Sequence, residues 1–380
     1  MVDKSECSKR ASLLASASVV VWVTAQGASA AEWALEWGGY MDVWLGYQST
    51  SGPAGDFDGV DVISNSEIFV LPSITLDNGI TFGAQVQLEG TGGSGYYGDA
   101  DIDEAFVFVR GSFGEIQIGQ SPQPGFDVFN RPDLSFTDLS SPVFSAFFPV
   151  SGASNGMLTG DDFRRGTLGG TNYSASGQDN AFRITYFTPQ FSGFQLGVSF
   201  APDGRDSSGD VYGQREEMYD VALRYAGEFG AIRVAAGATY GTGENSVDPA
   251  ANPEYQGFSV NFGYEGFNLG GSFIETQGSS RTQADGAAYE IGGSYESGPW
   301  VFSASYLHGN NTDNEHTGFG PRERFDAVKL AGSYELKKGV RVSAFGAYVD
   351  FDEDVGDGGF GTPGDNFDGF VIGTGIGLSW

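Results

Sequence analysis

The 380-residue chain sets 19 Lys and Arg against 49 Asp and Glu, a formal charge of −30; this excludes a nucleic-acid partner, because phosphate contact needs a basic footprint. Its 60 Gly, 31 Phe, 17 Tyr and 6 Trp beside only 18 % charged residues suit pleated surfaces and turns, and argue for an all-β chain. The length admits two ordinary domains or one large barrel.

Residues 1–30 read as an export signal. Lys4, Lys9 and Arg10 precede ASLLASASVVVWVTAQGASAA, and Ala28, Ser29 and Ala30 form a small-x-small site, so cleavage is expected after Ala30. Asp3 and Glu6 leave this leader only weakly basic, and its apolar centre, Ala11 to Ala25, is short for an uncleaved anchor. Cys7, the single cysteine, lies within it, so the mature chain carries no thiol. Beyond it no apolar run approaches the ~20 residues that a spanning helix requires.

From there period two dominates. ITFGAQVQLE (80–89) places Ile80, Phe82, Ala84, Val86 and Leu88 on one face and Thr81, Gly83, Gln85, Gln87 and Glu89 on the other. Tyr219, Val221, Leu223 and Tyr225 likewise oppose Asp220, Ala222 and Arg224, and Phe258, Val260, Phe262 and Tyr264 oppose Ser259, Asn261, Gly263 and Glu265. Sixteen candidate strands fall near 36–48, 61–76, 80–90, 101–110, 115–119, 180–188, 194–201, 217–228, 231–241, 256–265, 267–277, 286–297, 300–309, 323–336, 340–351 and 368–380. Short connections, among them DNG (77–79), GSFG (111–114), FG (229–230) and KKG (337–339), alternate with long polar ones. That regularity predicts tight turns on one rim and long loops on the other, the layout of an up-and-down transmembrane barrel; a soluble sandwich has no reason to sort its connections so.

The final stretch, FDGFVIGTGIGLSW (367–380), sets Phe370, Ile372, Ile376, Leu378 and Trp380 against a nearly bare row of Gly373, Gly375, Gly377 and Ser379. Sixteen strands enclose a bore too wide for side chains to fill, so the apolar row is expected to meet lipid and the bare row water. Closure also pairs every backbone N–H and C=O, as a spanning sheet must. Tyr47, Tyr225, Tyr240, Tyr295, Trp300 and Trp380 are placed for two interfacial girdles.

LDNGITFGAQVQLEG (76–90), EAFVFVRGSFGEIQIGQ (104–120), NAFRITYFTPQFSGFQLGVSF (180–200) and the terminal aromatic strand together resemble the general porins of Gram-negative outer membranes. The resemblance covers the chain from about Glu36 onward, with loop lengths closest to the alphaproteobacterial members. It implies a homotrimer of 16-stranded antiparallel barrels in the outer membrane, surrounded by lipid and lipopolysaccharide, with a third long loop folded into the lumen. It also implies that Phe370 and Trp380 form the signal read by the barrel-insertion machinery, Trp380 replacing the family's usual Phe. By the same resemblance residues 120–179 are the constriction loop of a water-filled channel for ions and small hydrophilic solutes.

That loop carries Asp127, Asp133, Asp138, Asp161, Asp162 and Asp179 against Arg131, Arg164 and Arg165, six acids against three bases and hence a net of −3. Its apolar cluster, Val143, Phe144, Phe147, Phe148 and Val150, is expected to anchor it to the inner wall. Strand parity predicts inward basic residues at Arg183, Arg224, Arg233, Lys329 and Arg341, of which Arg183, Arg224 and Lys329 stand nearest mid-strand and are the eyelet candidates. The same parity turns Asp42, Glu67, Glu89, Asp103, Glu265, Glu290, Glu296 and Glu335 inward and Arg110 outward. Opposed carboxylates and cations at a narrow point create a transverse field that favours polar solutes. Asp352, Glu353, Asp354, Asp357 and Asp365 in the last long loop predict an acidic mouth and a modest cation preference.

Loop carboxylates leave nonspecific Ca²⁺ binding open, with no cofactor expected. GDADIDEAF (98–106) fails as a calcium loop: counted from Asp99, Glu104 stands where Gly is needed and Arg110 where Glu is needed. The rival to a channel is an outer-membrane hydrolase, but His308 and His316 are the only histidines and neither has nucleophile-elbow or metal-ligand spacing. A substrate-specific channel also stays open.

Overall fold

The computed structural model describes residues 32–51, 59–91, 101–125, 180–203, 215–245, 252–277, 285–312, 323–353 and 367–380. They form sixteen strands: β1 (Trp33–Ser51), β2 (Gly59–Thr75), β3 (Thr81–Thr91), β4 (Asp101–Gly111), β5 (Gly114–Pro122), β6 (Asn180–Phe187), β7 (Phe194–Asp203) and β8 (Arg215–Phe229). The series continues with β9 (Ile232–Asn245), β10 (Glu254–Tyr264), β11 (Phe267–Gln277), β12 (Asp285–Ser297), β13 (Trp300–Thr312), β14 (Glu323–Lys337), β15 (Val340–Glu353) and β16 (Phe367–Ser379). Each pairs antiparallel with its neighbours in sequence, and β1 closes onto β16 in a register running from Tyr40↔Ser379 to Ser51↔Asp368. The expected sixteen-stranded closed barrel is therefore what the sequence folds into. No helix among the described residues is long and apolar enough to cross a membrane, and the crossing is made by strands.

Glycine sets the tight rim. Between β10 and β11, Glu265 and Gly266 both adopt positive φ, 45° and 85°, the two-residue turn whose twist matches that of the flanking strands. Glu265, expected on the lumen wall, thus sits in this turn. Strands exceed their expected lengths on the other rim: β1 reaches Ser51, β9 reaches Asn245 and β15 reaches Glu353. Polar residues there keep pairing above the lipid, where alternation of hydrophobicity no longer marks them.

Alternation fixes the sides. In β7, Phe194, Leu196, Val198 and Phe200 are exposed outward, whereas Gly197, Ser199 and Ala201 are buried inward. Outward rings pair along both rims: Phe194 with Tyr225, Phe267 with Tyr295 and Trp300 with Tyr334 near the tight turns, and Tyr47 with Phe370 and Phe200 with Tyr219 near the long loops. These are the two girdles, with Trp300, Tyr225, Tyr295 and Tyr47 where parity put them.

Two features depart from simple alternation. A register shift between Gln87 and Leu88 pairs Gln87 with Glu104 but Leu88 with Ile102, so β4 changes parity at Asp103. Glu104, Phe106, Phe108 and Arg110 then face inward, and Ile102, Val107 and Val109 outward. Arg110 is therefore not outward as expected; its Nε donates to Glu115 Oε2 at 2.6 Å. The second feature concerns the bare row of β16, which faces inward but is roofed. A Cβ added to Gly375 would lie 2.6 Å from Trp44 Cδ2, and one added to Gly373 would lie 2.6 Å from Phe345 Cε1. The Trp44 and Phe345 rings, 5.5 Å apart edge to face, lie across these glycines from the strands on either side. Trp44 and Phe345 cover this row where water was expected.

Candidate functional site in the barrel lumen

The third long connection begins inside the barrel. Ser121 to Gly125 are all buried, although a chain leaving a wide barrel at its rim would be wetted. Pro122 ends β5, and the next residues lie against the inner wall. A Cβ on Gly197 of β7 would stand 2.7 Å from Pro124 Cβ, and one on Gly125 would stand 3.1 Å from Thr239 Cβ on β9. Missing side chains at both glycines let the chain cross the wall in close contact.

Beneath this root lies a buried polar network drawn from β6 to β10. Arg183 Nη1 donates to Asp220 Oδ2 at 3.0 Å and to Ser199 Oγ at 3.2 Å, and Ser199 Oγ donates to Asp220 Oδ2 at 3.1 Å. Tyr255 OH donates to Asp220 Oδ1 at 3.0 Å, and lies 3.3 Å from Thr239 Oγ1. The Arg183 and Asp220 side chains are only 1 % and 3 % exposed. Charges so desolvated persist because each is paired and further hydrogen-bonded.

A different chemistry lines β1 to β4. Gln85 Nε2 donates to Glu104 Oε2 at 2.6 Å and to Gln87 Oε1 at 3.1 Å, and Gln87 Nε2 donates to Glu67. Asn65 Nδ2 donates to Tyr40 OH at 3.3 Å. Glu67 and Glu104 on this wall are held by neutral amides, and no Lys or Arg occurs between Arg10 and Arg110.

A profile of the Gram-negative porin family matches residues 15–354. The chain belongs to the Gram-negative porin family. It is an outer-membrane β-barrel channel, and its closed, polar-lined cylinder is the structural form of that activity. No curated protein matches this porin in sequence. Among solved structures it is similar to the anion-selective porin from Comamonas acidovorans, with 17 % identity, TM-score 0.61 and coverage of 92 % of this chain and 100 % of that one. It is also similar to the trimer form of OmpT, an outer-membrane protein of Vibrio cholerae (14 %, TM-score 0.59, 92 % and 99 %), and to a mutant of the Rh. blastica porin (19 %, TM-score 0.53, 91 % and 100 %). At these identities the likeness is one of fold.

Residues expected at the constriction divide into two groups. Asp127, Asp133, Asp138, Asp161, Asp162, Arg131, Arg164 and Arg165 lie outside the described residues, as do Val143 to Val150. Arg183, Arg224 and Lys329 all face inward, on β6, β8 and β14. Arg183 is committed to the root network, Arg224 is half-buried, and Lys329 is buried with Nζ 5.2 Å from the Phe345 ring centroid. Arg341 and Asp42 flank the same glycine, Gly377, from β15 and β1. Phe370 lies in the loop-side girdle, and Trp380 at the opposite end exchanges backbone hydrogen bonds with Gly39 at 3.1 and 3.2 Å.

His308 stands on the outer face, its Nδ1 2.8 Å from Asp326 Oδ1, which also accepts from Tyr306 OH; His316 lies outside the described residues. Asp352, expected at the mouth, is on the outer face of β15 and pairs with Arg324 of β14. Asp101 to Phe106 of the calcium-like stretch form the start of β4. Sequence reasoning missed Asp220, Tyr255 and Glu104 as site residues. Parity did place Asp220 on the face of Arg224, but its partner Arg183 is 37 residues away in the chain, and periodicity carries no such pairing.

Proposed function

We propose that this porin is a general diffusion channel for ions and small hydrophilic solutes, modestly cation-selective, with residues 120–179 as its constriction loop. One observation carries the selectivity: the inner wall of β1 to β4 holds Asp42, Glu67, Glu89 and Glu104, while its one cation, Arg110, is beside the turn and paired with Glu115. A bore lined on one side by fixed negative charge enriches cations. The Comamonas acidovorans relative is named anion-selective, so a barrel of this shape serves either preference and selectivity must be read from this chain's own wall. Reversal potentials of the purified protein in planar bilayers under a KCl gradient test the reading: cation preference is expected, and anion preference would refute it. Flux that rises linearly with solute concentration fits the general pore, whereas saturation or block by one solute class indicates a substrate-specific channel.

The remaining parts of the reading rest on the surface and the termini. The outer face of β2 to β5 is largely aliphatic, with Val60, Val62, Ile68, Val107 and Ile118 exposed and Phe82 as the one exposed ring within these strands, Phe113 lying in the β4–β5 turn, whereas the girdles need aromatics wherever the wall meets lipid. This face supports self-association as a trimer, and Asp at Ile68 and Val107 is expected to yield monomers by chemical cross-linking. Cleavage after Ala30 is expected from the N-terminal sequence of the mature protein, and Trp380 serves the insertion signal. Catalysis is not part of the reading, since His308 is outside the bore. Acidic loops leave room for loosely held Ca²⁺.

A further inference from the structure

The seam that closes the barrel is shorter than the strand it closes. β1 pairs with β2 throughout its lower end, from Trp33↔Ile74 to Gly39↔Ile68, but its ladder with β16 begins only at Tyr40↔Ser379, capped by the two backbone hydrogen bonds between Gly39 and Trp380. Trp33 to Gly38 therefore extend below the end of β16, and one edge of this stretch has no backbone partner among the described residues. Pairing directions alternate along a strand. Because Gly39 bonds to Trp380, the N–H and C=O groups of Trp33, Leu35 and Trp37 point to the open edge. The side chains of the same three residues lie on the outer face, 67 %, 61 % and 52 % exposed. Six steps of about 3.3 Å along a strand tilted about 40° carry Trp33 about 15 Å below the join, toward the periplasm.

An apolar strand edge left open is a template for another strand, and a closed cylinder otherwise abolishes such edges. We propose that Trp33–Gly38 is a docking edge for an extended segment of a periplasmic polypeptide, acidic at its head and added antiparallel to β1 along the continuation of β16. Geometry excludes a second copy as the added strand. Copies in one membrane are related by axes along its normal, so two β1 strands, each tilted about 40°, cross at about 70° in a trimer, whereas neighbours in a sheet differ by about 20–25°. The occupant comes instead from the periplasm, and Trp33, Leu35 and Trp37 offer its alternate apolar side chains a matching outer row. Charge selects its head. Ser379 N donates to Gly339 O, which sets the β14–β15 turn beside the end of β16, and this turn presents Lys337 and Lys338, both exposed. The other tight turns of this rim carry no cation. A segment that starts under Trp380 thus brings its first carboxylates to these ammonium groups.

The test uses the purified porin in phosphatidylcholine nanodiscs, which leave both rims accessible, and an N-acetylated, fluorescein-labelled decapeptide of alternating Thr and Val opened by two Glu. Saturable binding is expected, weakened about tenfold, the worth of one hydrogen bond, by Leu35→Pro and likewise by Lys337→Glu with Lys338→Glu, and kept by Leu35→Ala. Proline deletes only the N–H on the open edge and spares the ladder with β2, whose donors on this stretch are Ala34, Glu36 and Gly38. Unchanged single-channel conductance reports that each variant is folded. In cells, p-benzoylphenylalanine in place of Trp33 is expected to cross-link an acidic stretch of a periplasmic protein, and the product to vanish with Leu35→Pro. Absence of saturable binding, or binding that survives Leu35→Pro, would overturn the docking edge. Cross-links confined to acyl chains or to a second copy would do the same, as would loss of peptide binding when phosphatidylglycerol is added to the discs, which assigns the lysines and rings to lipid headgroups.

Discussion

Replacing Asp220 by Asn tests whether the buried pair holds the root of the third loop. Arg183 Nη1 and Asp220 Oδ2 are 3.0 Å apart with both side chains nearly inaccessible, so at an effective dielectric of about 20 their attraction is about 5 kcal/mol. The amide keeps the shape of the carboxylate but an acceptor at only one of its two positions, toward Ser199 or toward Tyr255, so it returns only part of this. Breaking one partner of a buried pair costs about 3–5 kcal/mol, and a loss of about 3 kcal/mol is expected for Asp220→Asn. Urea unfolding of the barrel reconstituted in vesicles measures the loss, and single-channel recording should show noisier open levels as the root loosens. Arg183→Met with Asp220→Leu removes both charges and should cost less than Asp220→Asn alone, because an apolar pair of similar volume escapes the desolvation cost even though the Ser199 and Tyr255 hydroxyls lose their acceptor. A cost for Asp220→Asn below about 0.5 kcal/mol, the size of a neutral surface change, or a double variant as weak as the single one, would refute the reasoning.

Other perturbations follow from the same contacts. Tyr255→Phe deletes the hydroxyl that donates to Asp220 and should cost about 1–3 kcal/mol by leaving a buried acceptor short of a donor, read in the same unfolding assay. Gly197→Val drives a side chain into Pro124 and Phe187; overpacking of this kind costs about 1–3 kcal/mol, and displacing the root should change conductance as well as stability. Gly375→Val meets the Trp44 indole instead and should lower the temperature at which the folded barrel opens on detergent gels while leaving ion selectivity intact. Glu67→Gln with Glu104→Gln removes two wall charges and should move the reversal potential toward zero.

Much of the architecture was legible because lipid and water impose alternation on every strand and tight turns demand glycine. All sixteen strands were found, with Gly266 and Gly79 marking turns in advance. Legibility failed where neither constraint acts. In EAFVFVR both rows are apolar, so Phe106 and Val107 look alike, and the bulge that turns Glu104 and Arg110 inward is a pairing irregularity rather than a composition. Trp44 and Phe345 were hidden for a related reason: they share inward parity with Asp42 and Arg341, but an apolar ring on the inner face carries no sign in the sequence that it will lie over the glycines of β16. Arg183 was placed on the correct face, but its pairing with Asp220 across β7 depends on barrel register. The buried root at Ser121 to Gly125 left no periodic trace at all.

The indole of Trp44 leans from the first strand over glycines of the last. Sealing the cylinder and sheltering that ring are therefore a single event: until the two ends of the chain meet, the indole has no floor to rest on. The final hydrogen-bonded join thus brings its own apolar latch, fastened from within, at the place where an incomplete wall would otherwise peel apart.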